Sequence, residues 1–94
     1  MYIFSVSAKA RKAMDGIAIG QMVPFIVYIN FKDALGAEKL CQLYLLRAGF
    51  TDIDIEKRKV LDDKLINNAK VVNTDKALKE ALDKGYSIQL FDLH

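Results

Sequence analysis

Residues 2–8 alternate: Tyr2, Phe4 and Val6 point one way and Ile3, Ser5 and Ser7 the other. That period of two predicts a half-buried strand. Residues 8–15 hold good helix formers, with Ser7 placed to N-cap them and Gly16 to stop them, which predicts one or two helical turns or a loop. Residues 16–23 are apolar and interrupted by glycine without a clear period, so no element is assigned there. Residues 25–31 (Phe-Ile-Val-Tyr-Ile-Asn-Phe) carry β-branched and aromatic side chains on both faces and predict a central strand, with Pro24 at its start, where a missing N–H is tolerated.

Asp33 then N-caps a helix predicted over 34–48, with Ala37, Leu40, Cys41, Tyr44 and Ala48 as its buried stripe. Residues 52–61 predict a strand with Ile53 and Ile55 on one side and Asp52, Asp54, Glu56 and Arg58 on the other. The pattern weakens over 62–73. Asn67-Asn68 suits a turn before a short strand at Lys70-Val71-Val72, and 63–69 suits a helical turn equally well. Thr74 is the expected N-cap of a second helix with Ala77, Leu78, Ala81 and Leu82 inward; Gly85 closes it, and 86–93 form the last strand.

Both helices end in the same way. Leu46-Arg47-Ala48-Gly49-Phe50 and Leu82-Asp83-Lys84-Gly85-Tyr86 each pass through a glycine suited to the left-handed end of a helix and then an aromatic that opens a strand. From residue 25 the order reads β-α-β-(β)-α-β, the ferredoxin-like split βαβ pattern. The expected fold is therefore an α+β, ferredoxin-like α/β sandwich. It has an extra N-terminal strand and a predominantly antiparallel sheet, with two helices on one face and the other face open.

The chain has 94 residues, which suits a single domain over 1–94. With 52% hydrophobic and 28% charged residues it can form a core without disulfides, and its one cysteine cannot form an internal bridge. A net charge of +2 is too mild to imply nucleic acid by itself. No secretory leader pattern opens the sequence, and the apolar stretch 16–31 is broken by Gln21, Pro24 and Asn30, short of a membrane span. A cytoplasmic location and no membrane association are the expectations.

No residue set carries a recognisable catalytic pattern. Cys41 falls in a buried stripe, where a thiol is inert. His94 is the last residue, a poor place for a base held to hydrogen-bond precision. Asp52, Asp54 and Glu56 could align on one strand face, but no glycine-anchored calcium loop accompanies them, and alternating charge is the usual dress of a wet strand. Lys57-Arg58-Lys59, with Lys9, Arg11 and Lys12, makes two short basic clusters, and the adjoining carboxylates repel phosphate. The aromatic string of an RNA-binding sheet is missing from residues 53–58. No glycine-rich phosphate loop occurs. No catalytic residue, metal site or cofactor is therefore expected.

One feature invites a functional reading. Leu43 and Leu46 lie off the helical stripe, towards Lys39 and Gln42, and the apolar arm holding Ile17, Ile19 and Met22 lacks an obvious core role. These five residues are the candidate interface, unless the arm folds over the two leucines. The favoured function is a small non-catalytic protein-interaction module: a homodimer, an adaptor, or an inhibitor or immunity-type protein. The alternatives are a small RNA- or single-stranded-DNA-binding protein, and a small enzyme whose site forms between subunits around the carboxylates or Tyr28, Tyr44 and Tyr86.

Overall fold

The computed structural model describes residues 1–14 and 16–91. Its elements are β1 (Tyr2–Ala10), β2 (Met22–Ile29), α1 (Ala34–Arg47), β3 (Phe50–Val60), α2 (Asp63–Ile66), α3 (Ala69–Thr74), α4 (Lys76–Lys84) and β4 (Tyr86–Leu90). The four strands form one antiparallel sheet in the order β3-β1-β2-β4. This is an α+β sandwich, as expected, but the order departs from the ferredoxin-like expectation. Residues 70–72 lie in α3 rather than in a strand, because Asn68 caps a helical turn there by accepting a bond from the Lys70 N–H. The N-terminal strand is no peripheral addition either: β1 sits in the middle of the sheet between β3 and β2. Phe4, Val6, Ala8 and Ala10 are all buried beneath α1, and the backbone of β1 is paired on both edges. Residues 9 and 10, predicted to lie beyond the strand in a helical turn or loop, continue it.

The helices do not share a face. Side chains alternate along a strand, and β1 and β2 send Phe4, Val6, Val23, Phe25, Val27 and Ile29 to one side, where they pack with Ala37, Cys41 and Leu45 of α1. Tyr28 and its register partner Ser87 point the other way. There Tyr28 packs with Leu78 and Ala81 of α4 and donates a 3.5 Å hydrogen bond from its hydroxyl to Asp75. Both faces of the sheet are thus partly covered, in place of one covered and one free. Leu78, Ala81 and the half-buried Leu82 recur with helical spacing, and α4 lies across β4 and β2.

Local chemistry accounts for most element ends. Asp33 caps α1 by accepting from the Gly36 N–H at 2.9 Å. Asp75, and not Thr74, caps α4, accepting from the Leu78 N–H at 3.1 Å; the Thr74 hydroxyl instead donates back to the Lys70 and Val71 carbonyls at the end of α3. Gly49 and Gly85 both take positive φ, 102° and 95°, so both helix exits use the left-handed conformation. In the α1 stripe Leu45 is buried and Ala48 is exposed, one turn from expectation. The last strand ends at Leu90, and the expectations for residues 92–94, His94 among them, fall outside the described residues. Among the described residues no helix is long and apolar enough to cross a membrane.

Candidate interaction surface

Strand β3 shows how its sequence and its geometry diverge. Its register against β1 shifts twice, between Ser5 and Val6 and between Ser7 and Lys9. A bulge adds a residue to one strand and re-aims the side chains beyond it. Past the first bulge Arg58 lies opposite Phe4, on the α1 face, where its guanidinium pairs with Glu38 of α1. The expectation that Arg58 shares a face with Asp52, Asp54 and Glu56 fails for that reason. Asp54 lies opposite Ser7 on the other face, where Glu56 accepts a hydrogen bond from the Ser7 hydroxyl. Asp52 has a positive φ of 49° at the second bulge, a conformation that Asp tolerates better than most residues. Ile53 and Ile55 pack against the α1-side core.

The three acidic residues do not converge. Glu56 alone borders a shallow depression of about 240 Å³, which is lined by Ser5, Val6, Pro24, Phe25, Ile26, Lys57 and Phe91 as well. Among the described residues no group of three His, Cys, Asp or Glu side chains could hold a metal ion. Cys41 is buried, and burial pushes its thiol up to about 12, with the charge of nearby Glu38 adding to the effect. Such a thiol stays protonated and unreactive. Of the basic clusters, Arg58 is engaged by Glu38, and Arg11 reaches the end of α1, donating to the Leu46 carbonyl at 2.8 Å.

That Arg11 contact belongs to the long β1–β2 hairpin, residues 11–21. Ala10 and Gln21 close its base, and the Arg11 N–H bonds the Gly49 carbonyl. Met14 and Ile17 exchange paired backbone bonds of 2.9 Å, which folds the tip back on itself. A Cβ on Gly49 would come within 2.7 Å of the Met14 methyl, so the tip lies against the helix exit.

The five candidate interface residues therefore part company. Ile17 is half-buried and packs on the core. Ile19 is 69% exposed on the hairpin. Met22 is exposed, next in strand order to Val23 and so on the sheet face opposite α1. Leu43 and Leu46 remain 41% and 42% exposed on α1. The hairpin reaches only the C-terminal end of the helix, so the two leucines keep their open side. Leu35, 68% exposed, extends their strip; it precedes Leu46 by about three helical turns and so falls on the same side. Its displacement from the Ala37–Cys41 stripe was the signal that could have identified it. Leu90 and Phe91 are also exposed, and they escaped notice because a terminal strand reads as core by its alternation. No protein-family model, no curated protein and no solved structure matches this chain.

Proposed function

We propose that the chain is a small non-catalytic protein-interaction module. The observation that carries this reading is the outer side of α1. Leu35, Leu43 and Leu46 stay exposed along a helix whose opposite side, at Ala37, Cys41 and Leu45, is wholly buried. Water-facing leucines repeated along one helix side favour association, since each buried leucine side chain contributes roughly 1.5–3 kcal/mol. The inert Cys41 and the divergent carboxylates agree with a binding role. The test compares the wild type with a Leu43→Glu/Leu46→Glu variant, by sedimentation and by capture from source lysate. Loss of self-association or of a captured protein in the variant supports the reading. A wild type that remains monomeric and captures nothing beyond what the variant captures overturns it.

A second reading, RNA or single-stranded DNA, draws on Lys9 and Lys57, which share the face opposite α1. Asp54 and Glu56 on that face oppose phosphate, so a gel shift at low salt is its deciding measurement.

A further inference from the structure

The sheet has two edges of opposite character. The β3 edge carries two register shifts and the charges Asp52, Asp54, Glu56, Lys57, Arg58 and Lys59, devices that keep a strand from pairing with another chain. The β4 edge carries none of them. Tyr86-Ser87-Ile88-Gln89-Leu90 has no charge and no proline, and its register against β2 is unbroken from Phe25 opposite Leu90 to Ile29 opposite Tyr86.

The direction of its backbone groups comes from the ladder. The Phe91 N–H donates to the Pro24 carbonyl and the Asn30 N–H to the Gly85 carbonyl, both at 2.9 Å. In an antiparallel pair, bonded and non-bonded positions alternate. Gly85, Ser87, Gln89 and Phe91 therefore turn their N–H and C=O groups to β2, and Tyr86, Ile88 and Leu90 turn theirs outward. No strand among the described residues lies beyond β4 to meet them.

We propose that β4 pairs antiparallel with β4 of a second copy of this chain, about a two-fold axis through Ile88. This rests on the interaction-module reading and gives it a second contact, at the β4 edge and separate from the α1 leucines. The register is self-complementary: Ile88 faces Ile88 of the second copy, and Tyr86 and Leu90 face each other twice. Each pair exchanges both of its backbone bonds, and the sheet becomes continuous across the two molecules. No like charges meet, because the strand has none, whereas the β3 edge is interrupted by its two register shifts. The side chains agree with the backbone. Tyr86, Ile88 and Leu90 project to the α1 face, where Tyr86 is already stacked on Tyr44, and Leu90, 58% exposed in one chain, comes to lie beside Tyr86 of the other. A pairing of five-residue strands buries little surface and belongs with interfaces below about 1,200 Å², which associate weakly and reversibly.

The test is a concentration series of the full chain by sedimentation velocity, with amide hydrogen exchange read residue by residue at both ends of the series. The expected result is a monomer–dimer equilibrium in which the Tyr86, Ile88 and Leu90 amides gain protection as the dimer fills. Leu90→Pro removes an outward N–H and no bond of the β2–β4 ladder, and should weaken the dimer by about tenfold or more. Ile88→Lys and Ile88→Glu should each stay monomeric alone and form a heterodimer when mixed, an outcome that requires both variants to be folded. A dimer whose three amides exchange as fast as in the monomer overturns the strand pairing and leaves the interaction reading standing. A chain that stays monomeric at every concentration overturns the pairing as well, and the α1 variants then decide the broader reading independently.

Discussion

The ring of Tyr44 on α1 stacks on the ring of Tyr86 at the start of β4, with centroids 4.0 Å apart and planes 14° from parallel. Helix α1 covers the β3 side of the sheet, where Arg58 pairs with Glu38, and this stack ties its other flank to the last strand. Aromatic pairs of this kind contribute about 0.5–1.5 kcal/mol beyond the area they bury. A double-mutant cycle of Tyr44→Leu and Tyr86→Leu, read by urea denaturation, should return a coupling in that range. Strict additivity would show that the two rings act separately.

The two helix exits should respond differently to a side chain. Gly49 and Gly85 both have positive φ, so alanine at either costs about 1 kcal/mol in backbone strain. A Cβ at Gly85 meets nothing within 4 Å, whereas one at Gly49 meets the Met14 Cε at 2.7 Å and the Lys12 Cε at 2.8 Å. Both contacts are the far ends of flexible side chains that can swing aside, so Gly49→Val should be only slightly the more destabilising valine, and Met14→Ala should remove much of that difference. Equal melting temperatures for the two valine variants would remove the contact from the explanation.

Ser87 of β4 is fully buried on the sheet face that α4 covers, and its hydroxyl has no hydrogen-bond partner among the described residues. An unsatisfied buried hydroxyl costs on the order of 1–3 kcal/mol. Ser87→Ala should then be neutral or stabilising, an unusual result for a polar-to-apolar change. A clear loss of stability in thermal denaturation would mean that the hydroxyl has a partner.

Cys41 gives the fold an alkaline limit. Its ordinary value of 9.0 rises to about 12 in the folded chain, first through burial and then through the charge of Glu38. The folded state thus holds the thiol proton more tightly than the unfolded state does. The stability that this represents is complete below pH 9 and is lost as pH climbs from there towards 12. Tyr28, raised by burial and by Asp75, acts in the same direction above its usual value of 10.0. Cys41→Ala should flatten the decline of chemical stability from pH 9 upwards. Native protein at pH 8 should leave a thiol reagent unconsumed until it unfolds. Rapid labelling under native conditions would show an accessible, reactive Cys41.

Short-range chemistry made much of this protein readable from its residues. Asp33 placed before an apolar-periodic run, glycines at 49 and 85, and strict alternation through Tyr2, Phe4 and Val6 each act over a few neighbours, and each performs that local role in the folded chain. The exposure of Leu43 and Leu46 came from helical period in the same way. Where two capping residues adjoin, local preference could not choose: Thr74 and Asp75 both suit an N-cap, and Asp75 takes the position while the Thr74 hydroxyl bonds back to the end of α3.

Strand order, the face taken by each helix and the path of β3 were settled only when distant segments met. Hydrophobic alternation tells which residues of a strand are dry and says nothing about its neighbour, so β1 could pass for an added edge although it lies at the centre. A bulge depends on a partner strand to be measured against, which is why Arg58 reads as a companion of Asp54 and stands instead beside Glu38. The apolar side chains of Tyr28 and Leu78 found each other on the second face because both faces of the β2–β4 half needed cover. Backbone polarity at the β4 edge is of the same kind: which amides point outward is fixed by pairing with β2, through hydrogen bonds that no periodicity of side chains records.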